Sequence, residues 1–361
     1  MVDLNYMTTK TAAEQWNITQ RRVLALCAED RIEGLARVEN IWLIPKDAKK
    51  PTDARTLRYA KETKTMPVRP FVKWAGGKGQ LLECISEKYP SGLGETITKY
   101  CEPFVGGGAV LFDILSKYSI QEVYINDINA ELMNAYSTIK THVEPLIGIL
   151  AKMEAEYHVL DEDGRKEYFY KQRGRFNEIK TSEYSGISLE QAALFIFLNR
   201  TCFNGLYRVN RKGHFNVPIG SYKKPMICDK ENLMNISRAL QKVKIVCGDY
   251  RKSMDFIDSK TFVYLDPPYR PLSRSSSFTA YTEDGFDDQA QIELAEFIQR
   301  ADKKGAKVIL SNSDPKNTDA DDNFFDDLYS RQTIHRIYAS RAINSKAAKR
   351  GKISELLITN F

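Results

Sequence analysis

Apolar and polar positions change rhythm twice along this 361-residue chain. In the first fifty residues the apolar positions are few and closely spaced. TTKTAAEQW offers Thr8 or Thr9 as the cap of a short helix. NITQRRVLALCAEDRI offers Thr19 as a second cap, with Val23, Leu24, Leu26 and Cys27 on one face of a helix that Gly34 ends. ARVENIWLIP alternates like a hairpin turning at Glu39-Asn40. Apolar positions then thin out, and KDAKKPTDARTLRYAKETKTMPVRP reads as a polar linker with some helical content, closed by Pro67 and Pro70. Beyond Phe71, short apolar runs alternate with helical stretches, the pattern of an α/β sheet. The expected division is a small helix-turn-helix unit over 1–50, a linker over 51–69, and an α/β domain in two halves, 70–150 and 236–361. A helical insertion over 151–235 separates the halves.

Composition narrows the class. The chain is 42% hydrophobic and 28% charged, which suits a globular protein and makes disorder or a membrane protein a poor fit. No apolar run is long enough to span a bilayer, and the N-terminus lacks the basic and apolar parts of a signal peptide. The six cysteines are scattered without CxxC spacing, as expected of free thiols in a reducing cytoplasm rather than a zinc site; no metal is expected. Net charge is only +6, but Arg165 to Lys224 holds twelve Lys/Arg against four Glu, a local excess of eight. That segment is either a solvated basic face or the electrostatic footprint of a nucleic-acid partner.

Two glycine-rich stretches carry the first chemistry. CEPFVGGGAVLF (Cys101–Phe112) reads as a strand end, a glycine turn and a helix start, the unit that doubly wound sheets use to hold a nucleotide-like group. The GxxxxGK[ST] pattern is absent, so a P-loop is disfavoured. Glu102, just before the glycines, also disfavours a phosphate and suits a cationic amine. EVYINDIN then ends a second strand at Asp127, where an acid can bind ribose hydroxyls. An adenosine with a cationic part fits this set, and S-adenosyl-L-methionine is such a molecule. In KWAGGKG, Trp74 is either a core residue or the border of the cofactor pocket.

A third stretch, TFVYLDPPY, is a buried strand that opens onto the same edge of the sheet. An exocyclic ring amine such as adenine N6 is a poor nucleophile, because its lone pair is delocalised into the ring. A carboxylate (Asp266) and a backbone carbonyl (Pro267) can each accept one amine hydrogen and so localise that pair. Pro267 and Pro268 fix the backbone, and Tyr269 offers a face on which the ring stacks. Catalysis of this kind is positioning and preorganised hydrogen bonding, without a histidine base. A base inside a duplex would have to be flipped out to be reached.

KWAGGKG, EPFVGGGAV, NRTCFNGLYRVNRKGHFNVPIGSYKKP, DPPYRPLSRSSSFTAY, LSNSD and RAIN…KRGKISELLI stand in the order found in the Dam-type (DpnM-like) family of DNA N6-adenine methyltransferases, which the chain resembles over nearly everything after Phe71. The resemblance implies a Rossmann-like methyltransferase sheet with a DNA-recognition insertion. It implies cofactor contacts by Trp74, Lys78, Asp127 and Asp266, with Tyr250 beside the cofactor's adenine and Asp249 next to it. Pro103, Phe104, Gly106 and Gly108 join Glu102 in the same cofactor-binding turn. It implies that Arg208 meets a guanine, Leu206 and Pro218 a thymine methyl, Phe203 and Asn204 the region of the flipped base, and Lys73 and Tyr222 the first guanine of GATC. Arg274, Arg341 and Asn344 are expected to grip the DNA backbone. The N-terminal unit, through T-x-x-A-A-x-x-W-x-I-x-x-R-x-V and W-x-I-P, is similar to MerR and excisionase-like winged helix-turn-helix domains. That resemblance implies a recognition helix beginning at Gln20, Arg21 and Arg22; a protein-contact or folding module is the other reading. The expected partner is double-stranded DNA, with a cognate restriction endonuclease possible and a monomer the simplest state. An N4-cytosine methylase, or a DNA-binding regulator on a methylase fold, are the alternatives.

Overall fold

The computed structural model describes residues 6–16, 18–28, 32, 34–38, 41–48, 68–180, 186–270, 286–339 and 353–361. The expected hairpin turn at Glu39-Asn40 and the linker up to Pro67 lie outside the described residues. The chain divides into two compact units, Met1–Thr65 and Met66–Phe361.

The first unit contains β1 (Tyr6–Met7), α1 (Thr9–Trp16), α2 (Gln20–Ala28), β2 (Ala36–Val38) and β3 (Ile41–Pro45), with the strands in the order β1-β3-β2. Thr8 is the cap of α1: its Oγ1 accepts from the Thr11 amide at 3.2 Å, which satisfies a donor that the helix leaves open. Val23, Leu26 and Cys27 are buried with Ala12, Ala13 and Trp16, but Leu24 is 43% exposed. The sequence reading put Leu24 on the buried face. In an α-helix, residue 24 is about 100° round from residue 23, whereas 26 and 27 return to its face. β1 was not anticipated, because two residues are too few to show an alternation; it pairs Tyr6 with Pro45 and Met7 with Ile44.

The second unit is built on a seven-stranded sheet. Its strands are β4 (Lys99–Glu102), β5 (Glu122–Asp127), β6 (Val243–Cys247), β7 (Thr261–Leu265), β8 (Lys307–Ser313), β9 (Thr333–Ala339) and β10 (Ile353–Thr359), in the order β6-β5-β4-β7-β8-β10-β9. The first five in that order run parallel, and β10 lies antiparallel between β8 and β9. Both faces are covered. Tyr100, Val123, Ile125, Phe262 and Tyr264 enter one core; Cys101, Tyr124, Val263 and Leu265 enter the other. This is the period-two alternation of strands buried on both sides, and it explains why TFVYL reads as one continuous apolar run. The order reverses between β4 and β7, so two crossovers diverge there and leave a crevice at the carboxyl ends of the strands.

Helices cover the sheet: α3 (Leu82–Ser86), α4 (Ala109–Lys117), α5 (Ala130–Thr141), α6 (Val143–His158), α7 (Glu162–Lys180), α8 (Leu189–Thr201), α9 (Lys230–Leu240), α10 (Asp288–Lys303) and α11 (Phe324–Leu328). The excursion between β5 and β6 therefore runs from α5 to α9, and position 151, where the expected insertion begins, falls inside α6. Nine of the thirteen residues of α8 are buried, which makes it the hub of this excursion rather than a surface helix. Ser188 caps it, accepting from the Gln191 amide at 3.2 Å. Among the described residues no helix is long and apolar enough to cross a membrane.

Candidate active site

Three segments meet at the carboxyl edge of β4 and β7. The first is the turn after β4. Gly106 and Gly108 have φ of 47° and 74°, a left-handed backbone that a β-carbon disfavours. A β-carbon on Gly106 would stand 2.7 Å from Trp74 Cδ1, and one on Gly108 would stand 2.5 Å from the Tyr136 hydroxyl. That hydroxyl donates to the Gly106 carbonyl at 3.1 Å. The close approach that the glycines permit is thus made first by the protein's own Trp74 and Tyr136. Pro103 is buried in the same turn.

Acids line this turn. Glu102 is 2% exposed and accepts from the Tyr100 hydroxyl at 2.7 Å. Burial pushes its pKa well above the usual carboxylate range, and the nearby Asp266 and Asp127 push the same way; the Tyr100 hydrogen bond only partly opposes them. Asp127, at the end of β5, accepts from the Gly106 amide at 3.1 Å and the Asn129 amide at 2.9 Å, which ties the glycine turn to β5. Burial raises its pKa too, against those amide bonds. Asp249 is engaged elsewhere: its two oxygens take Nε and an Nη of Arg251, each at 2.8 Å, and this pairing holds its pKa down. Tyr250 is stacked against Phe104 with ring centres 5.2 Å apart, and Phe286 meets Phe104 edge-on at 6.0 Å.

The second segment is the Asp266–Tyr269 turn after β7. Lys78, although 4% exposed, reaches it from the short 3-10 turn Lys78–Gln80. Its Nζ lies 2.8 Å from Asp266 Oδ1, donates to the Tyr269 hydroxyl at 2.5 Å and to the Gly76 carbonyl at 3.1 Å, and stands 3.8 Å from Glu355 Oε2. The Tyr269 hydroxyl donates in turn to Glu355 Oε2 at 2.7 Å. Burial raises the Asp266 pKa, and the Lys78 charge works against that rise. The Pro268 carbonyl accepts from Gln291 Nε2 at 3.4 Å, while Pro267 is buried.

The third segment is the hairpin that follows α8. Cys202 pairs with Ile219 and Val209 with Phe215, both antiparallel. Along it Gly205 and Tyr207 are buried, while Asn204, Arg208 and Asn210 are exposed and Leu206 is half-buried, so one edge faces solvent. Phe203 is 51% exposed, and Pro218 is exposed beside it. Arg208 is held by Asn216 Oδ1 at 2.7 Å. Lys73 and Tyr222 are brought together as expected, hydrogen-bonded at 3.0 Å with the ammonium 4.3 Å from the ring centre. Trp74 is half-buried and stacks on Tyr207 at 5.8 Å, so it borders both the glycine turn and the hairpin. Arg274, Arg341 and Asn344 lie outside the described residues, as does the segment 271–285.

The sequence reading missed two residues. Asn199 is 3% exposed; it accepts from the Lys73 amide at 2.8 Å and donates to the carbonyls of Lys73 at 2.7 Å and Gly205 at 2.9 Å. It fastens the KWAGGKG segment to the hairpin. A polar side chain at the end of an otherwise apolar helix was its only sequence signal. Glu355 is the other, a single carboxylate interrupting the apolar strand ISELLIT.

Comparison with known proteins agrees with this geometry. Residues 74–343 match the family described as D12 class N6 adenine-specific DNA methyltransferase. The type II methyltransferase M.MjaIII of Methanocaldococcus jannaschii is 50% identical over 298 residues, 82% of this chain and 100% of that protein. The type II methyltransferase M1.LlaDCHI of Lactococcus lactis subsp. cremoris is 40% identical, covering 81% of this chain and 96% of that one. The DNA adenine methylase of Escherichia coli K12 is 34% identical, covering 80% and 94%. The chain belongs to the D12 class of N6 adenine-specific DNA methyltransferases.

Proposed function

We propose that the methyl donor is S-adenosyl-L-methionine and that the target is the adenine of GATC, rotated out of the duplex. One observation carries this reading: the Asp266–Tyr269 turn opens at the strand-order reversal beside the buried Glu102 carboxylate and the half-buried Asp127. The donor set fits the cofactor. A buried acid with a raised pKa and no cation beside it is poised to take up a positive group, and Asp127 ends a strand where ribose hydroxyls are commonly bound. Bound there, the cofactor supplies a methyl group on a positively charged sulfur. Asp266 and the Pro267 carbonyl accept the two N6 hydrogens and aim the lone pair. Gln291 already donates to the Pro268 carbonyl at 3.4 Å, whereas no hydrogen bond engages the Pro267 carbonyl among the described residues. Tyr269 supplies the stacking face, and the Lys78 charge opposes the burial that raises the Asp266 pKa.

Arg208, Leu206 and Pro218 on the solvent edge of the hairpin suit the guanine and the thymine methyl of GATC, with Lys73 and Tyr222 placed for the first guanine. Phe203, with Asn204 beside it, suits the space left by a flipped base. In a test, the full chain is incubated with unmethylated plasmid and labelled cofactor, then challenged with an endonuclease blocked by adenine methylation in GATC. Label with protection supports both parts; label without protection refutes the GATC assignment alone. Asp266→Ala is expected to abolish labelling while keeping the circular dichroism spectrum, and full activity in that variant would overturn the mechanism.

The N-terminal unit favours a second role. It has its own core, and Gln20 and Arg21 are exposed at the start of α2. Arg37 lies 4.8 Å over the Trp42 ring on the hairpin. This arrangement suits a winged helix-turn-helix that reads a duplex sequence other than GATC.

A further inference from the structure

We propose that Glu355 is a positioning residue for methyl transfer, acting through Tyr269 and Lys78. The inference rests on the methyl-transfer reading of the Asp266–Tyr269 turn.

Topology explains how a residue so distant in sequence arrives here. β10 is the antiparallel strand, so its first residues, not its last, lie at the carboxyl edge of the parallel strands. Glu355 pairs with Ser313 at the end of β8 and thereby reaches the same Tyr269 hydroxyl as Lys78. Its Oε2 accepts the Tyr269 hydroxyl at 2.7 Å and stands 3.8 Å from Lys78 Nζ.

The donor count fixes the direction of every bond. The Lys78 ammonium has three hydrogens, and Gly76 O, Tyr269 Oη and Asp266 Oδ1 take them. The Tyr269 hydroxyl, accepting from Lys78, must point its own hydrogen at Glu355. The tyrosine ring is therefore held at both ends, by the Pro267-Pro268 backbone and by its hydroxyl. A base stacking on that ring meets a fixed surface rather than one that rotates.

Charge gives Glu355 a second effect. By formal charge Lys78 and Asp266 balance each other, and Glu355 adds one carboxylate to the cluster. In the transfer, the sulfur–methyl bond breaks as the N6–methyl bond forms. The positive charge would pass from sulfur to N6 and leave when N6 gives one of its hydrogens as a proton to water. A fixed negative excess beside N6 favours that charge at the moment it appears and costs no rearrangement. The sulfonium feels the same field before transfer, so the gain is limited to the part of the charge that moves closer to the cluster as it passes to N6.

Glu355→Gln keeps the shape and removes the charge; Tyr269→Phe keeps the ring and removes the hydroxyl. Both are measured in the full chain on unmethylated plasmid with labelled S-adenosyl-L-methionine, beside wild type and Asp266→Ala. We expect Glu355→Gln to lower kcat by at least about tenfold, the scale of one mispositioned electrostatic contact. KM for the cofactor should stay within about threefold, since the lost contact belongs to the transition state. Tyr269→Phe should lower kcat as well, because it frees the ring that Glu355 and Lys78 hold through the hydroxyl. A Glu355→Gln enzyme with wild-type kcat, or one whose loss lies in cofactor KM rather than kcat, overturns the proposal. Should Glu355→Gln fail to fold, Tyr269→Phe with wild-type kcat overturns it alone. Absence of label in wild type overturns the underlying methyl-transfer reading instead.

Discussion

Glu102 illustrates what a single buried side chain does for both stability and binding. Its neutral form is favoured in the folded chain, because burial raises its pKa above the ordinary value of 4.5. The sign follows from proton linkage. Above pH 4.5 the unfolded chain ionises this group while the folded chain resists, so folding loses stability as pH rises towards the folded pKa, and the loss is complete above it. Glu102→Gln is therefore expected to raise Tm near pH 8, with the gain vanishing at about pH 4. Calorimetry at the two pH values checks this; an unchanged or lower Tm near pH 8 counts against it. The same variant is expected to bind the cationic cofactor at least tenfold more weakly. If the cofactor's positive group sits beside Glu102 as proposed, wild-type binding is expected to release a proton from it, with affinity strengthening as pH rises towards the folded pKa. That pH dependence should disappear in the variant, as titration calorimetry in buffers of different ionisation heat would show.

At the scale of elements, the junction between α8 and the KWAGGKG segment fixes where the hairpin that carries Leu206 and Arg208 sits. Asn199 makes three hydrogen bonds there, two to Lys73 and one to Gly205. Gly205 has φ of 64°, and a β-carbon on it would stand 2.6 Å from Lys73 Cβ, so the hairpin and Lys73 pack with no room to spare. A buried triad reinforces the junction: Glu131 at the start of α5 takes Lys180 Nζ of α7 at 2.6 Å and the Tyr207 hydroxyl at 3.0 Å. Asn199→Ala strands buried backbone groups and is expected to cost about 3 kcal/mol of stability, from roughly 1–3 kcal/mol per unsatisfied group. Denaturant unfolding reads that cost. The surviving folded enzyme should methylate with relaxed site preference, which sequencing of methylated plasmid would reveal. Unaltered stability and site preference would mean that Asn199 is not the fastening we describe.

For the whole molecule, the decisive fact is that each unit has a core of its own. The N-terminal core draws on residues 7–44, whereas the two cores of the second unit begin at Phe71. Removing residues 1–65 is therefore expected to leave methyl transfer within about threefold of wild type. Loss of the wild-type rate in a truncated chain that remains folded would contradict it. The removed unit, tested alone by footprinting on random-sequence duplexes, is expected to select a site other than GATC, with affinity falling steeply as salt rises. Binding without any preferred sequence would favour the reading of it as a folding or protein-contact module.

What the sequence determined on its own is whatever depends on local pattern and on short motifs. Strand and helix alternation, the capping threonine of α1, the buried TFVYL strand and the three site stretches all rest on neighbours a few residues apart. Side-chain period and backbone constraint act at that range. Leu24 shows the limit even there, since one residue of helical phase separates a core position from an exposed one. Only tertiary structure placed Glu355 against Tyr269, 86 residues away in sequence, and Asn199 against Lys73, 126 residues away. The reason is topological: an antiparallel strand inserted into a parallel sheet, and a helical excursion folded back over its own origin, bring together residues that share no local signal. The same holds for Trp74, which the sequence left between core and pocket and which the fold lays between the glycine turn and Tyr207, bordering both.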